Sequence, residues 1–171
     1  MRNVLVVVDM QNDFITGSLG TAEAVAIVPA VKEKIEGFSG RVIYTRDDHG
    51  KNYLSTREGS VLPVEHCIRG SRGWEICDEL LPLRGDVVDK PTFSSVELGE
   101  LLRGMKEDEG IGEITVIGLC TDICVISNAL LLKAFFPEAR IVVDSRCCAG
   151  VTPESHETAL SAMRACQIDT I

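Results

Sequence analysis

The sequence predicts a three-layer α/β/α domain built around a mostly parallel sheet of about six strands. Three observations lead there. Short runs rich in Val and Ile recur at residues 4–8, 42–45, 87–88, 114–117 and 141–143. Segments with helical spacing separate them, at about 24–38, 74–81, 96–106, 122–136 and 154–166. Runs that are apolar on both faces and alternate with helices mark a parallel sheet covered on both sides.

The first run holds five apolar residues and stops at Asp9. It is far short of the roughly 20 apolar residues of a membrane span. It also lacks the small-residue cleavage site of a signal peptide, so it reads as a core strand. Within the first helix, Pro29 is expected at a start or a kink. Residues 47–72 break the pattern: this stretch is polar, rich in Gly, Ser, Arg and His, and without periodicity. A loop that long in a compact domain is functional or disordered. Pro153 followed by Glu154 suits the first turn of the last helix. Residues 168–171 offer a sixth strand. No repeat, low-complexity tract or linker divides residues 1–171, so one domain is expected.

The chain carries 26 acidic against 17 basic residues, a formal net charge of −9. Polyanionic partners would be repelled, which argues against nucleic acid and anionic membrane surfaces. The seven cysteines are odd in number and sit in apolar or helical segments. Reduced thiols in a cytoplasmic protein account for them most simply. The helix at 122–136 is apolar on nearly every side, although a helix covering a sheet needs one buried stripe. Self-association, as a homo-oligomer, is the expectation, with coverage by a neighbouring helix of the same chain as the alternative.

Chemistry-bearing residues gather at strand ends. Residues 118–125 follow the strand at 114–117 and open a helix, with Thr121 or Asp122 placed to cap it. Cys124 then falls in the first turn, where free N–H groups and the helix dipole favour a thiolate. A buried structural cysteine is the alternative at that position. Asp9 closes the first strand, and Lys90 ends the strand at 86–89 in the same way. A parallel sheet brings these ends to one edge, where ligands of open α/β sheets bind. An acid, an ammonium and a thiol together suit covalent catalysis. Asp47 and His49 are two apart in an extended segment and point the same way. His66 returns at the far end of the polar stretch. Asp and two His leave coordination positions open on a metal. Merely exposed loop histidines are the alternative.

These residues resemble the isochorismatase-like cysteine hydrolases, and within them the nicotinamidases. Asp9-Met10-Gln11-Asn12-Asp13-Phe14 is similar to the family's opening motif. Thr45-Arg46-Asp47-Asp48-His49 and His66-Cys67-Ile68-Arg69-Gly70 resemble its metal segments. Lys90-Pro91-Thr92-Phe93-Ser94 and residues 118–125 resemble its lysine and nucleophile segments. The resemblance spans nearly the whole chain. It implies a Rossmann-like sheet and a Cys124–Asp9–Lys90 triad that hydrolyses a small amide through a thioester. It implies an oxyanion hole at Cys120 and Cys124, a cis peptide between Leu119 and Cys120, and a substrate lying beside Phe14 and Leu119. It further implies one divalent metal, Zn, Fe or Mn, on Asp47, His49 and His66, with Glu58 as a fourth ligand, and no nucleotide cofactor. Nicotinamide is the implied substrate, with a carbamoyl or ureido compound, or a non-catalytic metal- or thiol-binding role, as alternatives. Two departures stand out. Asp48 occupies a place that is often aromatic in nicotinamidases, and the only Trp is Trp74. Isochorismate hydrolysis is not implied, because those relatives lack the nucleophilic cysteine.

Overall fold

A computed structural model describes residues 2–81, 85–105 and 110–171. Six strands form one sheet: β1 (Arg2–Val8), β2 (Arg41–Asp47), β3 (Asp86–Lys90), β4 (Ile111–Leu119), β5 (Arg140–Ala149) and β6 (Asp169–Thr170). Their order is β3-β2-β1-β4-β5-β6, and every pair is parallel. Among the described residues six α-helices accompany it: α1 (Asn12–Ile15), α2 (Ala22–Gly37), α3 (Arg57–Val61), α4 (Val96–Gly104), α5 (Ile126–Phe135) and α6 (Pro153–Ala165). No described helix is long and apolar enough to cross a membrane.

Val4 to Val8 of β1 are fully buried, as a strand covered on both faces requires. The strand order reverses between β1 and β4, and an α/β sheet opens a crevice at that point. Register then fixes what meets there. Val8 stands opposite both Thr45 and Gly118, and Asp47 opposite Lys90. The carboxyl ends of β1, β2, β3 and β4 therefore finish together.

Local chemistry explains the helix ends. The Thr21 hydroxyl caps α2 by accepting from the Ala24 amide, and Thr152 with Ser155 forms a capping box on α6. Pro153 sits in the first turn of α6, as expected. Pro29 does not start a helix; it lies inside α2. The expected helix at 74–81 is absent. Only a short 3₁₀ turn, Asp78–Leu80, forms there. The reason is tertiary: Glu75 O accepts from Asn12 N and Cys77 N donates to Met10 O, so this backbone pairs with the segment after β1. The polar stretch is also more structured than its sequence suggests, with a 3₁₀ turn at Tyr53–Ser55 followed by α3. The outer surface of α5 is largely met by α4 and α6 of the same chain, leaving Leu130 exposed. All seven cysteines are free, and Cys147 and Cys148 are buried in β5.

Gly118 has φ of +114°, and a Cβ there would stand 2.1 Å from Val8 O on the neighbouring strand. Gly118→Ala should lower unfolding stability by at least about 1–3 kcal/mol, the cost of a strained backbone conformation. Gly37→Ala, which meets open space at the end of α2, should leave stability unchanged or raise it by less than about 1 kcal/mol. Denaturant titration of the two variants compares them directly, and equal midpoints would refute the expectation.

Candidate active site

The end of β1 turns sharply. Asp9 adopts φ of +47°, a conformation held because its amide donates to Thr45 O at 3.2 Å and its Oδ1 accepts from Thr45 Oγ1 at 2.7 Å. This aims Oδ2 at the Lys90 ammonium, 2.7 Å away. Both side chains are fully buried. Lys90 Nζ also reaches Asp47 Oδ1 at 3.2 Å, Thr92 O at 3.0 Å and Cys124 Sγ at 3.6 Å.

Cys124 lies in a wide turn, Thr121–Val125, between β4 and α5. Val125 N–H reaches back to Cys120 O at 3.0 Å, and the Leu119–Cys120 peptide is cis. Neither Thr121 nor Asp122 caps this turn. Thr121 Oγ1 lies 2.7 Å from His156 Nδ1, and Asp122 Oδ1 accepts from Val151 N. Asn128 locks the turn from behind: its Nδ2 donates to Cys124 O and Phe93 O, and its Oδ1 accepts from Ser95 N.

The surroundings of Cys124 act against the dipole-favoured thiolate expected from the sequence. Burial, and then the Asp9 charge, push the Cys124 thiol well up, with Lys90 opposing them. Burial also raises Asp9, against the pull of Lys90, and so strengthens it as a base. Burial works against the Lys90 charge, but Asp9, Cys124 and Asp47 outweigh it and keep the ammonium protonated.

A second cluster adjoins the first. Asp47, His49, Glu58 and His66 place one ligand atom each within 4.8 Å of one another. Asp47 Oδ2 lies 3.0 Å from His49 Nε2 and 3.5 Å from His66 Nε2, and Glu58 Oε1 lies 3.6 Å from both imidazoles. His66 Nδ1 donates to Val64 O at 2.8 Å, so Nε2 is the nitrogen that faces the cluster. Two imidazoles and two carboxylates converging in this way fit a divalent cation. Burial opposes the Asp47 charge, but His49, His66 and Lys90 hold its carboxyl well below the usual carboxylate range. Burial and the neighbouring Asp47 raise Glu58.

Cys124 of the first cluster and Asp47, Glu58 and His66 of the second share one cavity of about 220 Å³. Cys120, Cys124, Asp47, Glu58 and His66 line it, while Phe14, Leu19, Leu62, Phe93, Ile123 and Val151 supply apolar walls. Phe14 also packs on His66, with ring centroids 5.6 Å apart. Leu119 does not reach the cavity; its side chain is 1% exposed and packs in the core. Asp48 turns away to pair with Arg69, and Trp74 lies under the Arg46 guanidinium at 3.6 Å, so neither lines the cavity. A larger hollow of about 600 Å³ lies beside α2 and β5, away from these groups. Sequence reading gives Gln11 and Thr45 no role beyond their place in motifs, and Asn128 none. Their bonds run largely to main-chain groups distant in sequence, which no spacing pattern reveals.

Residues 3–171 match the isochorismatase domain model, and the chain belongs to the isochorismatase family of hydrolases. An uncharacterised isochorismatase family protein of Bacillus subtilis is 30% identical, over 94% of this chain and 93% of its own. A nicotinamidase/pyrazinamidase of Mycobacterium tuberculosis is 26% identical, over 98% and 97%. The solved pyrazinamidase of Pyrococcus horikoshii in complex with zinc superposes with a TM-score of 0.85 at 29% identity, covering 100% of this chain and 99% of its own.

The electrostatics give a signed prediction. Removing the Asp9 charge takes away a group that disfavours the thiolate and leaves Lys90 to favour it. In Asp9→Asn, iodoacetamide should therefore label Cys124 with a pH midpoint below that of the wild type, followed by peptide mass. An unchanged or higher midpoint would contradict this assignment of charges.

Proposed function

We propose that this hydrolase converts nicotinamide and water to nicotinate and ammonia through a thioester on Cys124. The observation that carries the reading is one cavity lined both by Cys124, which contacts Lys90, and by Asp47, Glu58 and His66 of the four-ligand cluster. Its volume falls below the range of about 300–1,000 Å³ usual for drug-sized ligands, as suits one small ring with a carboxamide. No Lys or Arg lines it to pair with the carboxylate of an acidic ureido compound.

Asp9 takes the Cys124 proton while Lys90 holds both groups in place. The thiolate attacks the amide carbonyl carbon. The backbone amides of Cys120 and Cys124 receive the oxyanion, a contribution of about 3–4 kcal/mol per donor. Asp9 then delivers its proton to the departing ammonia. Water, deprotonated by Asp9, hydrolyses the thioester and frees the thiol. Asp47, His49, His66 and Glu58 would hold a divalent metal, Zn, Fe or Mn, which supplies a Lewis-acid contact for the pyridine nitrogen. Phe14 gives that ring a face. A relative solved in complex with zinc supports a divalent metal in this reading. Self-association belongs to the same reading and rests on Val96 and Leu130, which stand exposed on α4 and α5.

Ammonia release from nicotinamide and from benzamide, which lacks the ring nitrogen, tests the proposal. Nicotinamide should be favoured at least tenfold in kcat/KM, about 1.4 kcal/mol. Cys124→Ala should lose at least about a thousandfold, in keeping with removal of a nucleophile. Equal rates on both amides would remove the metal cluster from recognition. Turnover of a ureido acid with neither amide cleaved would replace the substrate assignment.

A further inference from the structure

The β1 strand ends at Val8, opposite Thr45, while β2 runs on to Asp47. On its other edge β2 pairs with β3 as far as Lys90. The Asp47 amide and carbonyl would thus be left facing a strand that has already turned away. The Gln11 side chain takes the vacated place. Asp47 N donates to Gln11 Oε1 at 2.7 Å, and Gln11 Nε2 donates to Asp47 O at 2.9 Å. A carboxamide offers the same donor and acceptor pair as a peptide group, so it extends the ladder by one unit. The second Nε2 proton goes to Trp74 O at 2.8 Å. Gln11 is fully buried, and its own main chain is tied to Asp9 O at 2.7 Å and bridged to Ile76. It does not line the cavity and is not one of the four clustered ligands.

What Gln11 secures is the residue shared by the two clusters. Asp47 Oδ1 contacts Lys90 Nζ, and Oδ2 contacts His49 and His66. A small shift of its backbone would move both oxygens. We propose that Gln11 is a positioning residue. Its carboxamide fixes where the Asp47 carboxylate stands and so sets the affinity of the four-ligand cluster for a divalent cation. This role rests on the metal reading given above and adds to it a residue that touches neither metal nor substrate.

The test compares Gln11→Ala, Gln11→Glu and Asn12→Ala with the wild type. Gln11→Glu keeps the side-chain size but loses both donated bonds, and it carries the test if Gln11→Ala does not fold. Asn12→Ala removes the bond from Asn12 Nδ2 to Arg72 O, loosening the same loop without touching Asp47. Zinc affinity is measured on purified protein by competition with a chelator, alongside circular-dichroism melting. The Gln11 variants should lose 10- to 100-fold in zinc affinity, the usual effect of removing a group that orients a ligand. Their preference for nicotinamide over benzamide should fall with it, and Asn12→Ala should retain both. Folded Gln11→Glu with wild-type zinc affinity would overturn the positioning role while leaving the metal reading intact. Wild-type protein that binds no zinc would overturn the metal reading and this role with it.

Discussion

The Lys90 ammonium has no access to solvent. An isolated charge at such a depth costs several kcal/mol after relaxation, so it persists only among partners. Asp9, Asp47 and Thr92 O supply them, and Cys124 Sγ completes the surround. Asp9 follows β1, Asp47 ends β2, Thr92 follows β3 and Cys124 lies in the turn after β4, so these segments must meet at the same level. That demand explains the exact matching of β1, β2 and β3 at Val8, Thr45–Asp47 and Lys90. It also explains why Gly118 lies so close to Val8, since the turn bearing Cys124 must approach the same point.

The same burial settles the protonation states. A thiol and a carboxyl group are both pushed up, which leaves a neutral thiol beside a strengthened base. In the proposed reaction the Cys124 thiol gives its proton to that base. The ammonium keeps the base ionised enough to act. Asp47 performs a parallel service for the imidazole pair, and its two oxygens serve the two clusters separately. The site is thus one continuous charge network with two working faces on a common cavity.

Much of the fold was legible because strands covered on both faces must be apolar throughout, as Val4 to Val8 are. Polar residues that break such runs are conspicuous, which is why Asp9 and Lys90 could be singled out from sequence. Asp47 and His49 were found by a spacing of two on an extended strand end. The segment at 74–81 misled because its helical pattern comes from burying Ile76, Cys77 and Leu80, while its backbone bonds go to the chain after β1. The thiolate expectation weighed the helix dipole and had no access to burial or to the nearness of Asp9. The roles of Gln11 and Asn128 escaped notice because amides are common surface residues, and the value of these two lies in main-chain partners across the sheet.

The proposed reaction requires Cys124 to form a covalent acyl intermediate. Hydroxylamine, a stronger nucleophile than water, tests this most directly when added during nicotinamide turnover. Thioester formation requires the acyl group to partition: nicotinohydroxamate should rise at the expense of nicotinate as hydroxylamine increases, and Cys124→Ala should form neither. Nicotinate as the only product at every hydroxylamine concentration would contradict the account.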